Sequence, residues 1–386
     1  MNILLDFIPF QQNGGIGGAA SFAKAVYDRI SEKKSRDVKL FAAFNATLPS
    51  GMLYDYKMMA NSYQAELVDL SRITLADIIN DKHIEVFFIA IGQFYENYDL
   101  NGISCKTVMF IHDIFEYERN DNKLDLIIYD KEKKDRWDWI KRCMNLTTGR
   151  WEKQLHKRYD GVMHLYEAPN TIAYTVSNYS KNALQYYFPH IKKDIHICYS
   201  PLRTTPVADI IENEELKKLI SSGKKFLLML AANRRYKNAH TMVKVFSTLT
   251  ITHPDLYLLT LKYGKSIHPH HIDIQFLSDS DLEHAYKHAY ALVFGSFFEG
   301  FGYPPIEAMK YGTPTAASNV TSIPEILGDA GVYFSPFYPA DLYRVLKQIL
   351  QNHDIRKEAI IQRYQQIIKR QENDLDHLIN NILSGT

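Results

Sequence analysis

Four clusters in this 386-residue chain carry residue types that could do chemistry. The densest is FGSFFEGFGYPPIEAMKYGTP (294–314), where Glu299 and Glu307 bracket two glycines, Phe301 and a Pro-Pro pair. Gly300 and Gly302 free the backbone to turn sharply and bring N–H groups close to a ligand. Pro304 and Pro305 suit the opening positions of a helix, where a missing N–H costs little. Glu307 is then expected in the first helical turn, favoured by the dipole, with Gly312 and Pro314 ending the helix. A carboxylate can accept hydrogen bonds from two vicinal hydroxyls. Two of them flanking free N–H groups therefore describe a polyol site beside an anion site. A dipole role for Glu307 and a solvated loop position for Glu299 are the plainer readings. Neither explains why both acids bracket one turn.

The second cluster, AANRRYKNAHT (231–241), puts Arg234, Arg235 and Lys237 in a strand-to-helix loop. Backbone amides also point outward there, so an anion fits; a solvated basic turn is the alternative. The third, QNGGIGGAASFAKAV (12–26), satisfies a dinucleotide fingerprint at Gly15, Gly17 and Ala20. Two details count against NAD: PFQQN separates the strand from the first glycine, and Asn45 stands where an acid would grip ribose. The fourth, MFIHDIFEYE (109–118), places His112 and Asp113 at a strand end, where open α/β sheets bind ligands. Asp279-Ser280-Asp281 resembles a D-x-D metal motif, but it opens a helix and reads as an N-cap. The HPHH run (268–271) reads as loop, so no metal site is expected.

These clusters need rigid elements behind them. Short apolar runs alternate with amphipathic helical segments, the pattern of parallel sheets with crossover helices. Strands are expected at NILLDFI, VKLFAAF, IEVFFIA, KTVMFIHD, GVMHLY and IAYTVS in the first half. In the second half they are expected at KFLLMLA, LYLLTLKYG, IDIQFLS, YALVFGS, TPTAAS and GVYFSP. Phe22, Val26 and Ile30 mark a helix, and the chain after about 340 reads as helical. The boundary between two tandem doubly wound sheets is expected near Tyr199 to Thr205. Hydrophobic residues make up 46% and charged residues 23%, with a net charge of +1, so no global field argues for nucleic acid. Three cysteines, Cys105, Cys143 and Cys198, lie far apart with no C-x-x-C spacing, and no disulfide framework is expected. No apolar run reaches the roughly 18–20 residues of a membrane span, and no signal peptide is expected. A cytoplasmic chain is the expectation.

The segment EGFGYPPIEAMKYGTPTAASNVTSIPEILGDAG (299–331) resembles the signature of the group 1 (family 4) retaining glycosyltransferases, with its E-x7-E pair. The resemblance implies the GT-B fold, two Rossmann-like domains facing across a cleft. It would place an acceptor-side domain at 1–200, a donor-side domain at 201–365, and a C-terminal helix (366–386) crossing back onto the first. That closing segment departs from a common pattern of the family in carrying no tryptophan. By the resemblance, Glu307 would bind the donor ribose and Glu299 the hydroxyls of the transferred sugar. Backbone at Gly300, Phe301 and Gly302 would meet the sugar or diphosphate, and Arg234 with Lys237 would neutralise the diphosphate. Gly14 to Gly18, with Gly15 and Gly17 nearest the donor, would form a loop reaching donor phosphate and acceptor. His112 would line the sugar site, with Asp113 beside it.

The implied reaction is transfer of a sugar from a UDP- or GDP-sugar to an acceptor hydroxyl, with retention and without metal or other cofactor. The implied setting is polysaccharide or glycolipid synthesis on a glycan or lipid-linked acceptor. A nucleotide-sugar epimerase, a non-catalytic nucleotide-sugar or glycan-binding protein and, more distantly, an NAD oxidoreductase are the alternatives. Residues 131–158 hold all three tryptophans among excess basic residues. This makes them a candidate peripheral contact with the inner face of the cell membrane; an ordinary helical pair flanking the sheet is the plainer reading.

Overall fold

The computed structural model describes residues 1–11, 18–51, 54–121, 137, 140–141, 144, 147–202 and 208–384. The chain divides into two compact units, one of Met1–Leu124, Arg136–Arg203 and Arg370–Thr386, the other built on Thr204–Lys369. In the first unit the strands are β1 (Asn2–Asp6), β2 (Lys39–Phe44), β3 (Ala65–Asp69), β4 (Val86–Ile89), β5 (Lys106–Phe110), β6 (Thr171–Thr175) and β7 (Ile195–Ile197). They form one parallel sheet in the order β3-β2-β1-β4-β5-β6-β7. Ile3, Leu4, Leu5, Phe87 and Phe88 are wholly buried, as expected where helices cover both faces of a parallel sheet.

Two readings of this half need correction. GVMHLY is not a strand but the end of the helix Arg150–Glu167. Leu155, Tyr159, Val162, Met163 and Tyr166 recur there at helical spacing and are buried, so the helical period extends through the apolar run. Conversely, β3 and β7 escaped notice. The first is AELVD with only Val68 buried, and the second is three residues long, so neither shows a continuous apolar run. Of the tryptophans, Trp137 is exposed and Trp151 packs partly against the core, while Trp139 lies outside the described residues.

The second unit repeats the plan with β8 (Phe226–Met229), β9 (Tyr257–Leu261), β10 (His271–Ile274), β11 (Ala291–Phe294), β12 (Thr315–Ser318) and β13 (Gly331–Phe334). Their order is β10-β9-β8-β11-β12-β13, again parallel. All six expected strands are present. The Asp279-Ser280-Asp281 run corrects in detail, since Ser278 is the N-cap of the helix Asp279–His288. Asp281 instead accepts from the backbone N–H groups of Glu212 (2.9 Å) and Asn213 (3.0 Å). Within HPHH, His271 opens β10, is buried and lies 2.8 Å from the Thr260 hydroxyl.

The last helix, Lys357–Leu383, serves both units. Arg363 caps carbonyls of the second unit, donating to Ile326 at 2.8 Å. From Arg370 onward the helix belongs to the first unit. Gln371 donates to Ser200 O (2.5 Å), Asp374 accepts from Tyr199 N (3.0 Å), and Arg29 pairs with Glu372 (2.7 Å) and Asp376 (2.8 Å).

In each sheet the strand order reverses once, between β1 and β4 and between β8 and β11. Loops diverge at such a point and leave a crevice at the carboxyl ends of the strands. In the first unit Asp6 closes β1 there. Its carboxylate is fully buried and accepts from the Tyr95 hydroxyl (2.9 Å) and from Ile8 N (3.0 Å). Burial pushes its carboxyl up from 3.8 to about 7, against the lowering effect of those hydrogen bonds. Between these two values the unfolded chain releases a proton that the folded chain keeps, so this group's contribution to stability falls as pH rises. The stability difference between wild type and Asp6→Asn, from urea unfolding, is expected to change across that window by up to about 1.4 kcal/mol per pH unit. Wild type loses ground relative to the variant as pH rises; a pH-independent difference would contradict the assignment.

Candidate functional site

The loops after β8 and β11 meet at the reversal point of the second sheet. Lys237 Nζ lies 2.5 Å from Glu299 Oε1, with side chains only 11% and 14% exposed. The Ser296 hydroxyl donates to the same oxygen at 2.6 Å. The ammonium also faces the rings of Phe294 (4.9 Å) and Tyr236 (5.3 Å), a favourable cation–π arrangement. Local backbone chemistry sets this up. Asn238 follows Lys237 in the left-handed conformation at φ 62°, which asparagine tolerates, and its amide donates to Pro336 O at 3.0 Å. Phe297 N donates to Tyr236 O at 2.8 Å, joining the two loops through their backbones.

A third element buckles onto the acid loop. Glu299 N donates to the Thr321 hydroxyl (3.1 Å), and the Ser322 hydroxyl lies 2.9 Å from the carbonyl oxygens of both Glu299 and Phe301. Gly302 then takes φ +123°, a conformation that side chains rarely adopt, and starts the helix Tyr303–Met309 with Pro304 inside its first turn. Glu307 is the fifth residue of that helix, past the first turn, so the expected dipole position is corrected. It is half-buried, and the buried Tyr286 hydroxyl donates to its Oε2. The Thr313 hydroxyl holds Tyr286 in turn, donating to its carbonyl at 2.7 Å.

Of the basic trio, only Lys237 is buried against Glu299. Arg234 and Arg235 are exposed, and Arg234 donates to the Tyr236 hydroxyl at 3.1 Å. In the first unit, His112 is half-buried with Nε2 3.0 Å from Ala90 O and its ring edge-on to Phe22 at 4.9 Å. Burial pushes its imidazolium down to about 4, opposed by the Ala90 hydrogen bond. The ring is therefore neutral near pH 7. Since a carbonyl can only accept, Nε2 carries the proton and Nδ1 is an acceptor. Asp113 accepts from Phe115 N (3.1 Å), and its carbonyl accepts from Gln93 (2.8 Å). Gly18 opens the helix Gly18–Lys33, whereas Gly14, Gly15 and Gly17 lie outside the described residues. Ser296, Thr321, Ser322 and Tyr286 were missed from the sequence. Single hydroxyls on separate loops carry no spacing signal; the SIPEI turn, within the recognised signature, was the one available clue.

Residues 211–366 match the family model described as glycosyl transferases group 1. Serotype-specific mannosyltransferase WbdA of Escherichia coli is 30% identical over 163 residues, covering 38% of this chain and 20% of that protein. O-antigen chain mannosyltransferase RfbU of Salmonella typhimurium is 25% identical over 229 residues, covering 55% of this chain and 58% of that protein. The chain thus spans about a fifth of the length of the first of these relatives. Among solved structures, Anabaena Alr3699/HepE in complex with UDP and glucose aligns with a TM-score of 0.63 at 13% identity, covering 98% of this chain and 99% of that one. The shared fold is GT-B.

The Lys237–Glu299 pair is desolvated enough that removing one partner strands the other's charge. Glu299→Ala or Lys237→Ala is expected to destabilise the second unit by about 3–5 kcal/mol. The double variant should cost clearly less than the sum of the two. Urea unfolding of the three variants checks this; strictly additive effects would show that the pair is not coupled.

Proposed function

We propose that this chain, whose residues 211–366 match the glycosyl transferases group 1 model, is a retaining hexosyltransferase of glycan assembly. Its donor is a nucleoside diphosphate sugar and its acceptor a hydroxyl of a glycan or lipid-linked glycan. Mannose is the proposed sugar, because WbdA and RfbU are both named mannosyltransferases. The observation that carries the reading is the Lys237–Glu299 pair at the strand reversal, next to the start of the helix that bears Glu307.

In this reading Glu299 holds the ammonium in place until the donor arrives. The diphosphate then takes Lys237, with Arg234 supplying further charge from its exposed position, and frees the Glu299 carboxylate for sugar hydroxyls. Glu307, oriented by Tyr286, accepts from the ribose hydroxyls. Backbone N–H groups of Gly300 to Gly302 face the leaving group. The bond from the anomeric carbon to the diphosphate oxygen breaks as the bond to the acceptor oxygen forms on the same face. The acceptor's proton passes to the departing phosphate oxygen. Lys237 stabilises the charge that builds there, and no metal ion takes part. His112, neutral with Nδ1 open to a donor, orients a hydroxyl rather than supplying charge. Gly14, Gly15, Gly17 and Gly18 are assigned to the loop between donor phosphate and acceptor.

Thermal melting against UDP, GDP, ADP and CMP and their sugars, in EDTA, is the direct test. One diphosphate family should raise the melting temperature of wild type and leave Glu307→Ala unmoved. With the matching donor sugar, Lys237→Ala should lose about 10²–10³-fold in kcat. No shift and no transfer with any donor would overturn the proposal.

A lipid-linked acceptor would bring the chain to a membrane surface, and 131–158 is the segment we assign to that contact. Trp137 and Met144 in it are 72% and 62% exposed, although no helix among the described residues is long and apolar enough to span a membrane. Cosedimentation with anionic vesicles, weakened in Trp137→Ala, is the expected result; equal pelleting with and without vesicles would rule the contact out.

A further inference from the structure

The first unit carries a hollow of about 640 Å³ that none of the proposed donor- or sugar-site residues lines. That volume falls in the ordinary range of small-molecule sites. It lies at the carboxyl ends of β2, β3 and β4, the edge at which parallel sheets bind ligands. Its existence follows from the strand order. β4 lies beside β1, and the segment that follows β4 passes over the end of β1 towards β2 before the chain turns back to β5. Tyr95 in that segment donates to Asp6 at the end of β1 (2.9 Å), and three residues later Tyr98 accepts from the Asn45 amide just past β2 (2.8 Å). Asn45 is fixed from its other side by Gln11, which exchanges two 2.9 Å hydrogen bonds with its backbone. The wall is therefore braced before any ligand enters.

The lining points to one ligand chemistry. Phe94 and Tyr98 are half-buried, each presenting part of a ring to the hollow. Asn97, Asp99 and Arg72 supply exposed amide, carboxylate and guanidinium groups around them. Arg72 lies 3.3 Å from Asp69, and Asp77 also lines the hollow, so no net positive charge awaits a phosphate or a nucleotide. Aromatic surface beside amide and carboxylate groups suits a molecule with an apolar C–H face and a rim of neutral hydroxyls. A pyranose is such a molecule.

We propose that this hollow is a carbohydrate subsite that holds neutral sugar units of the acceptor glycan. The proposal rests on the glycosyltransferase reading for its role, but binding can be tested without it. Saturation-transfer NMR with short manno-, gluco- and galacto-oligosaccharides, without nucleotide, reads the hollow directly. One series should give signal with wild type and lose it in Phe94→Ala and in Arg72→Ala/Asn97→Ala, the latter pair being on exposed side chains that leave the core intact.

In steady-state transfer to the same oligosaccharide, the variants should raise acceptor KM by about tenfold, the equivalent of 1.4 kcal/mol. Donor KM and slow donor hydrolysis should stay as in wild type. Variants that bind and use the oligosaccharide like wild type would overturn the subsite. So would a wild type that hydrolyses donor yet shows no oligosaccharide contact by NMR. Oligosaccharide binding lost in the variants, from a protein that transfers nothing, would uphold the subsite and sink the enzyme reading instead.

Discussion

The second unit is organised around one carboxylate at the place where its sheet reverses. Strands β8 and β11 are neighbours, and the loops that follow them border a gap at the reversal point, joined there by the 2.8 Å hydrogen bond from Phe297 N to Tyr236 O. Glu299 closes that gap from three directions: Lys237 from the β8 loop, Ser296 from its own loop, and Thr321 with Ser322 from beyond β12. A buried ion pair of this kind adds little net stability, because desolvation offsets most of the attraction. What it supplies is placement. A cation, a glycine turn and a helix start are held together at a spot where an anion would compete for the cation.

The first unit meets the same topological constraint with different chemistry. At its reversal point stands Asp6, wholly buried among hydroxyl and amide donors, with no cation among the described residues paired to its carboxylate. Burial favours its neutral form, and likewise keeps His112 neutral. The reversal point of one unit therefore holds a buried cation–carboxylate pair, and that of the other a neutral carboxyl and a neutral imidazole.

Much of this was legible in the chain because parallel strands buried on both faces appear as uninterrupted apolar runs. KFLLMLA and YALVFGS are such runs. The failures share a cause. β3 and β7 bury too few residues to stand out, and GVMHLY was a short apolar run whose helical period shows only when read from Leu155 onward. Glu307 was put one turn too early because glycine and proline mark a helix start only to within a few residues.

By itself the sequence determined the residue types and their local spacing: a Gly-x-Gly turn between two acids, proline at a helix start, a lysine closing a basic loop. These are short-range facts, set by φ preference and by the hydrogen-bonding needs of helix ends. Which acid would pair with the lysine, which tyrosine would orient the other acid, and that a braced hollow would form beside β2 were decided by the tertiary structure. Those contacts join residues 21 to 62 positions apart, and nothing in local spacing encodes them. They exist because the strand order carries distant loops to the same edge of a sheet.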